Sequence, residues 1–289
     1  MTLNLTQVRA FVTVIEAGGF LEAARRLAIS QPAVTQLVRK LETQLGTQLV
    51  LRDRRGAAAT HDGALLLPHA RTLLQAEARA VAAIAGRSLT VGASGNVGTY
   101  LLPTVLRSFR DSERIETDLV IAQNPEILDH VAAGSVDIAV VEWWDGRPGL
   151  TARAWRREPL AVIVPPDHPW AGFDYIEPDQ LFDVPVIGGE PGSGTGRLLH
   201  ETYGPNASRL KVAMTLGSTA AVKEAVKAGL GISLVLRSCA LAEIQAGSLR
   251  ALDLAGAPLE KELMMVMPEY LPPTAPAARF GIHLGTLPL

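Results

Sequence analysis

The chain has a single cysteine among its 289 residues, so it cannot form an internal disulfide. No apolar run approaches the roughly 18 residues that a membrane-spanning helix requires, and the N-terminus lacks the basic and then apolar segment of a secretory signal. The six histidines show no spacing typical of metal ligands. We therefore expect a cytoplasmic protein with no membrane partner, no metal and no cofactor, in which Cys239 is a small core residue rather than a reactive thiol.

Sequence motifs of the common enzyme classes are also missing. The chain has no G-x-S-x-G, no identifiable His and Asp pair beside a nucleophile, no Walker lysine and no G-x-G-x-x-G that opens a first βα unit. We therefore expect that the protein is not an enzyme.

The composition indicates large packed cores and an uneven distribution of charge. Hydrophobic residues make up 48% of the chain and charged residues only 19%, and the length suffices for two or three domains. The first 60 residues contain eight basic and four acidic side chains, a net charge of +4, whereas the whole chain carries −2. A basic N-terminal segment followed by a mildly acidic remainder is typical of a protein in which only the N-terminal segment binds phosphates.

Residues 20–52 have the pattern of two short amphipathic helices joined by a tight turn. The second helix is predicted to begin near Gln31, because Ser30 is a good N-cap and Pro32 suits the first turn, and to end at Gly46. The first helix, about residues 21–28, is too short to bury its apolar face alone, so the two must pack as a unit. The buried stripe of the second helix is predicted to comprise Val34, Leu37, Val38, Leu41 and Leu45.

The opposite face of the second helix carries the chemistry of DNA reading. Gln31 and Gln36 can pair with adenine edges, Thr35 offers a hydroxyl and a methyl group, and Arg39 and Lys40 can bind phosphates or guanine. The pattern predicts a helix-turn-helix. A solvated surface helix of a small bundle remains the alternative on the pattern alone.

Residues 1 to about 85 resemble the winged helix-turn-helix of the LysR-type transcriptional regulators. The resemblance is carried by Leu5, Phe11, Gly19, Phe20, Ala23, Ala24, Leu27, residues 30–33, Leu41, Glu42, Leu45, Gly46, Leu49, Arg52, Thr60 and Gly63. It implies promoter double-stranded DNA and RNA polymerase as partners. The DNA-binding residues that it implies are Gln31, Pro32, Thr35, Gln36, Arg39, Lys40, Arg52 and Arg54. The wing departs from the family pattern at Leu51 and at residues 57–59. Its phosphate contacts could still come from Arg52, Arg54 and Arg55.

The segment from Asp62 to Ala85 is rich in alanine and leucine and is long for a helix of a globular domain. An alternating step of three and four residues, interrupted only at Glu77, predicts a coiled-coil seam of Leu67, Ala70, Leu74, Val81 and Ile84. A helix packed on its own domain fits the same periodicity. In the resembling family this helix joins two subunits, which implies a homodimer or a dimer of dimers, with a hinge at residues 86–88.

From Leu89 onward, short β-rich runs alternate with helices, which predicts a parallel sheet covered by helices. Two such sets, with chain crossings near Val164 and Leu263, resemble the two-lobed, periplasmic-binding-protein-like effector domain of the same family. The predicted fold is thus α/β with an N-terminal all-α winged helix-turn-helix. The predicted domains are residues 1–61 for DNA binding, 62–87 for the linker, and 88–289 for the effector, with lobe I at about 88–163 and 265–289 and lobe II at about 164–264.

Three loops of small and hydroxyl residues follow predicted strands, where open α/β sheets bind ligands. The predicted effector-binding residues are Ser94, Asn96, Thr99, Glu142, Glu190, Gly192, Ser193, Gly194, Thr195 and Thr219. Hydroxyls and helix N-termini favour a small anion. Glu142 and Glu190 oppose a fully charged sulfate or phosphate but could accept hydrogen bonds from an ammonium group, so an amino-acid-like ligand stays open. Arg197 could offset one acid, and Trp143 and Trp144 could line the rim.

These features predict a LysR-type regulator whose promoter binding is modulated by a small, anionic metabolite in the cleft between the lobes. A solute-binding protein or a metabolite-processing enzyme that uses the same cleft is the alternative. A regulator should retard a promoter fragment in a gel, whereas a solute carrier should ignore DNA and an enzyme should turn over a metabolite.

Overall fold

The computed structural model describes residues 2–53, 56–86, 88–189 and 193–286. The chain divides into two compact units, Met1–Ala85 and Gly86–Leu289. Each unit has its own buried cores.

The first unit consists of helices and a small two-stranded sheet. In chain order its elements are α1 (Leu5–Ala17), α2 (Phe20–Leu27), α3 (Gln31–Leu45), β1 (Val50–Asp53), β2 (Gly56–Ala59) and α4 (His61–Ala85). The helix-turn-helix that the sequence predicts is therefore confirmed within one residue at its boundaries. Ser30 caps α3 by accepting a hydrogen bond from the backbone N–H of Ala33, and Gly46 ends it in the left-handed conformation.

The wing is tied to the helices by specific contacts. The Glu42 carboxylate on α3 accepts hydrogen bonds from the backbone N–H groups of Leu49 and Val50, which lead into β1. Gly56 begins β2 with a φ of +134°, and a side-chain carbon there would lie 2.3 Å from the carbonyl oxygen of Gly18. Glycine is therefore required where the wing crosses the end of α1.

The first half of α4 packs on its own domain, which corrects part of the predicted seam. Leu67 and Leu74 pack against the core formed by α1 and α3, and Ala70 is fully buried there. The three-and-four spacing fits this internal packing as well as a coiled coil, so periodicity could not distinguish the two. Of the five predicted seam residues, Val81 and Ile84 are exposed, and Ile84 is 91% exposed.

The described residues of the second unit form ten strands. Their bounds are β3 (Ser88–Ser94), β4 (Glu116–Ala122), β5 (Ile138–Val141), β6 (Leu150–Val164), β7 (Tyr175–Ile176), β8 (Pro185–Ile187), β9 (Lys211–Met214), β10 (Ser233–Leu236), β11 (Arg250–Leu254) and β12 (Glu260–Pro268). Its α-helices are α5 (Leu102–Glu113), α6 (Asn124–Ala132), α7 (Gly194–Tyr203), α8 (Thr219–Lys227), α9 (Leu241–Gln245) and α10 (Pro276–Thr286). Short helices of other types are the π-helix Val97–Leu101 and the 3₁₀-helices Pro178–Phe182, Gly204–Arg209 and Arg237–Ala240.

These elements form the two predicted lobes. In lobe I the sheet order is β4-β3-β5-β12-β6, with β3 parallel to β4 and β5 and with apolar cores on both faces. In lobe II the end of β6 pairs with β10 and β11, and β8 pairs in parallel with β9. The carboxyl ends of β3 and β5 therefore meet at one edge of lobe I, where the predicted loops begin.

The lobes share two long antiparallel strands, β6 and β12. Residues Leu160–Ile163 of β6 already pair with β10 of lobe II, so the chain crosses near Pro159, before the predicted position at Val164. A continuous strand has no turn residue to mark the crossing, which explains the displaced boundary. On β12, Glu260 pairs with Pro159, Leu259 packs in the lobe II core and Leu263 packs in the lobe I core, so the second crossing lies near Glu260, before the predicted position at Leu263. Throughout the part of the chain that the structure describes, no helix is both long and apolar enough to span a bilayer.

Candidate functional site

The predicted DNA-reading residues lie together on the surface of α3. Gln31, Pro32, Thr35, Gln36 and Arg39 line one concave surface of about 440 Å³. Lys40 lies beside it and is exposed. None of their side chains forms a hydrogen bond or an ion pair with any other residue that the structure describes, so their polar groups are available to a partner.

The wing residues of this prediction are less well defined. Arg52 belongs to β1, where its backbone pairs with Ala57. Arg54 and Arg55 lie outside the described residues. Phosphate contacts by the wing therefore stay a prediction.

The interlobe cleft of the second unit brings most of the predicted effector residues together. It has a volume of about 860 Å³, and eight predicted residues line it: Ser94, Asn96, Thr99, Glu142, Ser193, Gly194, Thr195 and Thr219. Glu190 and Gly192 lie outside the described residues.

Lobe I contributes a buried hydroxyl to this cleft. Ser94 is the last residue of β3 and is only 4% exposed. Its Oγ has no hydrogen-bond partner among the residues that the structure describes. Because a buried polar atom is almost always paired, this hydroxyl indicates a place for a ligand or an ordered water.

Lobe II contributes two helix N-termini. Ser193 caps α7 by accepting a hydrogen bond from the Gly196 N–H at 2.9 Å, and Ser218 caps α8 by accepting one from the Ala221 N–H at 3.3 Å. The first residues of these helices, Gly194 and Thr219, line the cleft. The N–H groups of a first helical turn have no acceptor within the helix, so both N-termini favour a negatively charged group.

A chain of polar contacts runs across the cleft. The Lys261 ammonium lies 2.5 Å from Glu142 Oε2 and donates to Thr195 Oγ1 at 3.2 Å. Asn96 Nδ2 donates to Glu142 Oε1 at 3.0 Å, and the Thr219 hydroxyl donates to Asn96 Oδ1 at 2.6 Å. Asn96 and Glu142 belong to lobe I and Thr195 and Thr219 to lobe II, so the chain connects the two lobes twice.

Lys261 is the site residue that sequence reasoning missed. The sequence did contain a signal for this residue. Alternation along β12 places Lys261 on the same buried face as Leu263 and Met265, and a lysine on a buried face needs a polar or charged partner. Its presence changes the interpretation of Glu142. The ammonium group that this carboxylate binds belongs to the protein and was not predicted.

Arg197, Trp143 and Trp144, which the sequence analysis also placed near the cleft, differ in the contacts that they make. The Arg197 guanidinium lies 4.3 Å from the centroid of the Trp143 ring and therefore does not pair with Glu142. Trp143 lines the cleft, as predicted, whereas Trp144 packs against the lobe I core under α6. The loop that carries both tryptophans is held by Asn124, whose Nδ2 donates to the Trp143 carbonyl at 2.7 Å and whose Oδ1 accepts from the Glu142 N–H.

A second buried cation lies behind the cleft. Lys223 on α8 lies 2.7 Å from the Glu243 carboxylate, donates to the Cys239 carbonyl and lies 4.6 Å from the centroid of the Tyr100 ring in lobe I. Burial raises the pKa of the Cys239 thiol to about 12, which fits a core residue. Among the described residues there is no cluster of three or more His, Cys, Asp or Glu side chains that could hold a metal ion.

Both units match known protein families. A family model described as "LysR substrate binding domain" matches residues 84–286, and one described as "Bacterial regulatory helix-turn-helix protein, lysR family" matches residues 5–64. The chain therefore belongs to the LysR family of transcriptional regulators. It is a DNA-binding regulator with a substrate-binding domain and is not an enzyme, and the predicted fold class is confirmed.

Individual relatives agree with this assignment. A protein named PtxE from Stutzerimonas stutzeri, described as an HTH-type transcriptional regulator, is 46% identical over 195 residues, which span 67% of this chain and 100% of that protein. A "Probable RuBisCO transcriptional regulator" from Cyanidioschyzon merolae is 32% identical over 282 residues, 92% of each chain. The crystal structure of full-length CbnR in complex with its target DNA superposes with a TM-score of 0.70 at 25% identity, covering 98% of this chain and 99% of that one.

Proposed function

We propose that this regulator binds promoter DNA through α3 and that a small, singly charged anion in the interlobe cleft modulates this binding. The observation that carries the proposal is the buried, unpaired hydroxyl of Ser94 at the edge of a cleft with two helix N-termini. Leaving a buried hydroxyl unpaired costs about 1–3 kcal/mol, and a ligand that accepts its hydrogen bond recovers this free energy.

The chemistry of the lining favours an anion over an amino-acid-like ligand. Ser94, Thr99 and Thr195 supply hydroxyls, and the first turns of α7 and α8 supply backbone N–H groups. All of these can donate hydrogen bonds to an oxygen-bearing anion. A ligand ammonium would need a free carboxylate, and Glu142 is already bound to Lys261 and Asn96.

The two-lobed construction provides a means of regulation. The lobes are joined by β6 and β12 and by the polar contacts across the cleft. An anion can shift the arrangement of the lobes only if it binds one arrangement more tightly than another. Contacts from both lobes to one ligand meet this condition.

We also propose that the protein acts in the cytoplasm as a homodimer or a dimer of dimers joined through the exposed face of α4. The large apolar side chains exposed on this helix are Leu65, Leu73, Val81 and Ile84. This set keeps Val81 and Ile84 of the predicted seam and replaces Leu67, Ala70 and Leu74, which face the core of their own unit.

A thermal-shift screen of the full chain against singly charged carboxylates and inorganic oxyanions tests the proposal. A ligand at one hundred times its Kd stabilises the protein by about 2.7 kcal/mol, which gives a clear shift. The stabilising anion should then change the retardation of a promoter fragment in a gel. If no anion stabilises the chain, or if a stabilising anion leaves DNA binding unchanged, the proposal is wrong.

A further inference from the structure

The ion pair between Glu142 and Lys261 is largely buried in the cleft. The Lys261 side chain is 5% exposed and that of Glu142 is 10% exposed. Both oxygens of the carboxylate are occupied, one by Lys261 and one by Asn96. The pair is therefore a fixed part of the cleft and is not a surface contact that solvent screens.

Lobe II closes over this pair through a glycine. A side-chain carbon at Gly194 would lie 3.0 Å from Glu142 Oε2 and 3.1 Å from the Lys261 ammonium. The absence of a side chain at Gly194 therefore lets the start of α7 approach both charges closely. An anion bound at this N-terminus would lie next to the ion pair and would interact with both of its members.

The pair also determines the net charge of the buried lining that the structure describes. Lys261 is the only cation among the lining residues that the structure describes, and the carboxylates among them are Glu142 and Glu126. Glu126 lies at the exposed rim, where its Oε1 is 4.0 Å from His130 Nε2. The buried part of the described lining is thus neutral, although it contains an ammonium group.

We infer that Glu142 is a charge filter: by binding the Lys261 ammonium it keeps the described buried lining neutral, so that the cleft accepts singly charged anions and rejects doubly charged ones. The free energy that an ion loses on leaving water grows with the square of its charge. The loss is therefore about four times larger for a dianion than for a monoanion. An unpaired ammonium group would offset more of it than hydroxyls and helix N-termini alone, and Glu142 neutralises the one ammonium group of the described lining. The inference rests on the proposed anion-binding function of the same cleft.

Glu142→Gln tests the filter, because glutamine keeps the shape of the side chain and a carbonyl oxygen for Lys261 or Asn96 but removes the charge. Nitrate and sulfate serve as the probes, titrated calorimetrically into the full chain at one ionic strength. The Coulomb energy of an anion doubles with its charge, so the gain in sulfate affinity should be about the square of the gain in nitrate affinity. We expect roughly a tenfold gain for nitrate and roughly a hundredfold gain for sulfate.

Glu126→Gln is the matched control, since it removes a carboxylate from the rim of the same cleft at a position that solvent screens. It should change the affinity for either anion less than about threefold. A second comparison covers the case in which Glu142→Gln alone does not fold. The double variant Lys261→Met, Glu142→Gln removes both charges and again leaves the described buried lining neutral, so it should keep the wild-type preference for nitrate over sulfate, and a double variant that prefers sulfate would overturn the filter.

The outcomes separate this inference from the proposed function. Equal gains for nitrate and sulfate, or a gain in Glu126→Gln as large as in Glu142→Gln, would overturn the charge filter and leave an anion site in place. Wild-type protein that binds sulfate more tightly than nitrate would also overturn it. Binding of neither anion to wild type or to any variant would overturn both the filter and the proposed function.

Discussion

The hydroxyl of Thr219 donates a hydrogen bond of 2.6 Å to Asn96 Oδ1, although the two residues lie 123 positions apart in the chain and on different lobes. Asn96 in turn holds the Glu142 carboxylate, and Glu142 holds Lys261. The closure of the cleft in this structure is therefore stabilised by side chains that also line the ligand site. Occupancy of the site and the arrangement of the lobes depend on the same contacts.

Thr219→Val should lower the free energy of unfolding of the effector domain by about 1 kcal/mol, because it removes the hydroxyl and preserves the branched shape. Urea denaturation checks this value. Thr202→Val is a suitable control, since the Thr202 hydroxyl is exposed and bonds only to the Leu198 carbonyl one turn earlier in α7. Equal stability of Thr219→Val and wild type would show that this bond does not hold the lobes together.

Gln36→Ala should reduce sequence preference in DNA binding by about 1–3 kcal/mol, because an exposed amide on α3 can pair with a base edge. Lys40→Ala should instead weaken specific and random DNA alike and reduce the salt slope by about 1. Fluorescence anisotropy with both DNAs at several salt concentrations separates the two. Equal losses on both DNAs for Gln36→Ala would refute its role in base reading.

Two substitutions on α4 should have opposite consequences. Ile84→Glu should yield a folded monomer, since Ile84 is exposed and lies on the proposed subunit seam. Leu74→Glu should unfold the first unit, because it places a charge against that unit's own core. Sedimentation velocity gives the assembly state and circular dichroism gives the folding. A dimeric Ile84→Glu protein would place the seam elsewhere.

The local part of this architecture could be predicted from sequence. The bounds of α2 and α3 follow from signals within a few residues, such as the cap Ser30 and the terminating Gly46, and the family resemblance supplied the two lobes. The neighbours of Ala70 could not be predicted in the same way. An amphipathic stripe indicates that one face of a helix is buried. It does not indicate whether the helix's own domain or a second subunit buries that face.

The polar contacts of the cleft were only half predictable. Ser94, Asn96 and Thr219 follow strand ends, so topology alone places them at the cleft. Lys261 lies in the middle of a strand, 119 residues from Glu142, and pairs with it only because β12 runs beside β5. The pairing of β12 with β5 depends on the order of strands in the whole sheet. The residues near Glu142 in the sequence therefore give no indication of it.

The buried pair of Lys223 and Glu243 predicts a specific dependence of stability on pH. Burial opposes ionisation of Glu243, but the hydrogen bond and charge of Lys223 outweigh it and hold the pKa of Glu243 below its usual value. A lowered pKa stabilises the fold above the pKa of the unfolded chain, about 4.3, and this contribution disappears as the pH falls through the folded value. Glu243→Gln should therefore cost about 3–5 kcal/mol at pH 7 and progressively less below about pH 4.

Chemical denaturation of wild type and Glu243→Gln between pH 3 and pH 8 measures this difference. Glu224→Gln provides the comparison, because Glu224 forms a mainly exposed pair with Lys227 and should change stability by less than about 1 kcal/mol at any pH. A Glu243→Gln cost that stays constant from neutral to acid pH would mean that the carboxylate is not stabilised by Lys223.

The most direct test of the account is calorimetry of Ser94→Ala against the tightest singly charged anion from the screen. Ser94 Oγ is buried and unpaired among the described residues, so its removal should leave the melting temperature of the free protein unchanged or higher. Its hydrogen bond to a charged ligand is worth about 1.5–3 kcal/mol, so the Kd should rise at least about tenfold. An unchanged Kd in the folded variant would contradict the claim that the anion binds in this cleft.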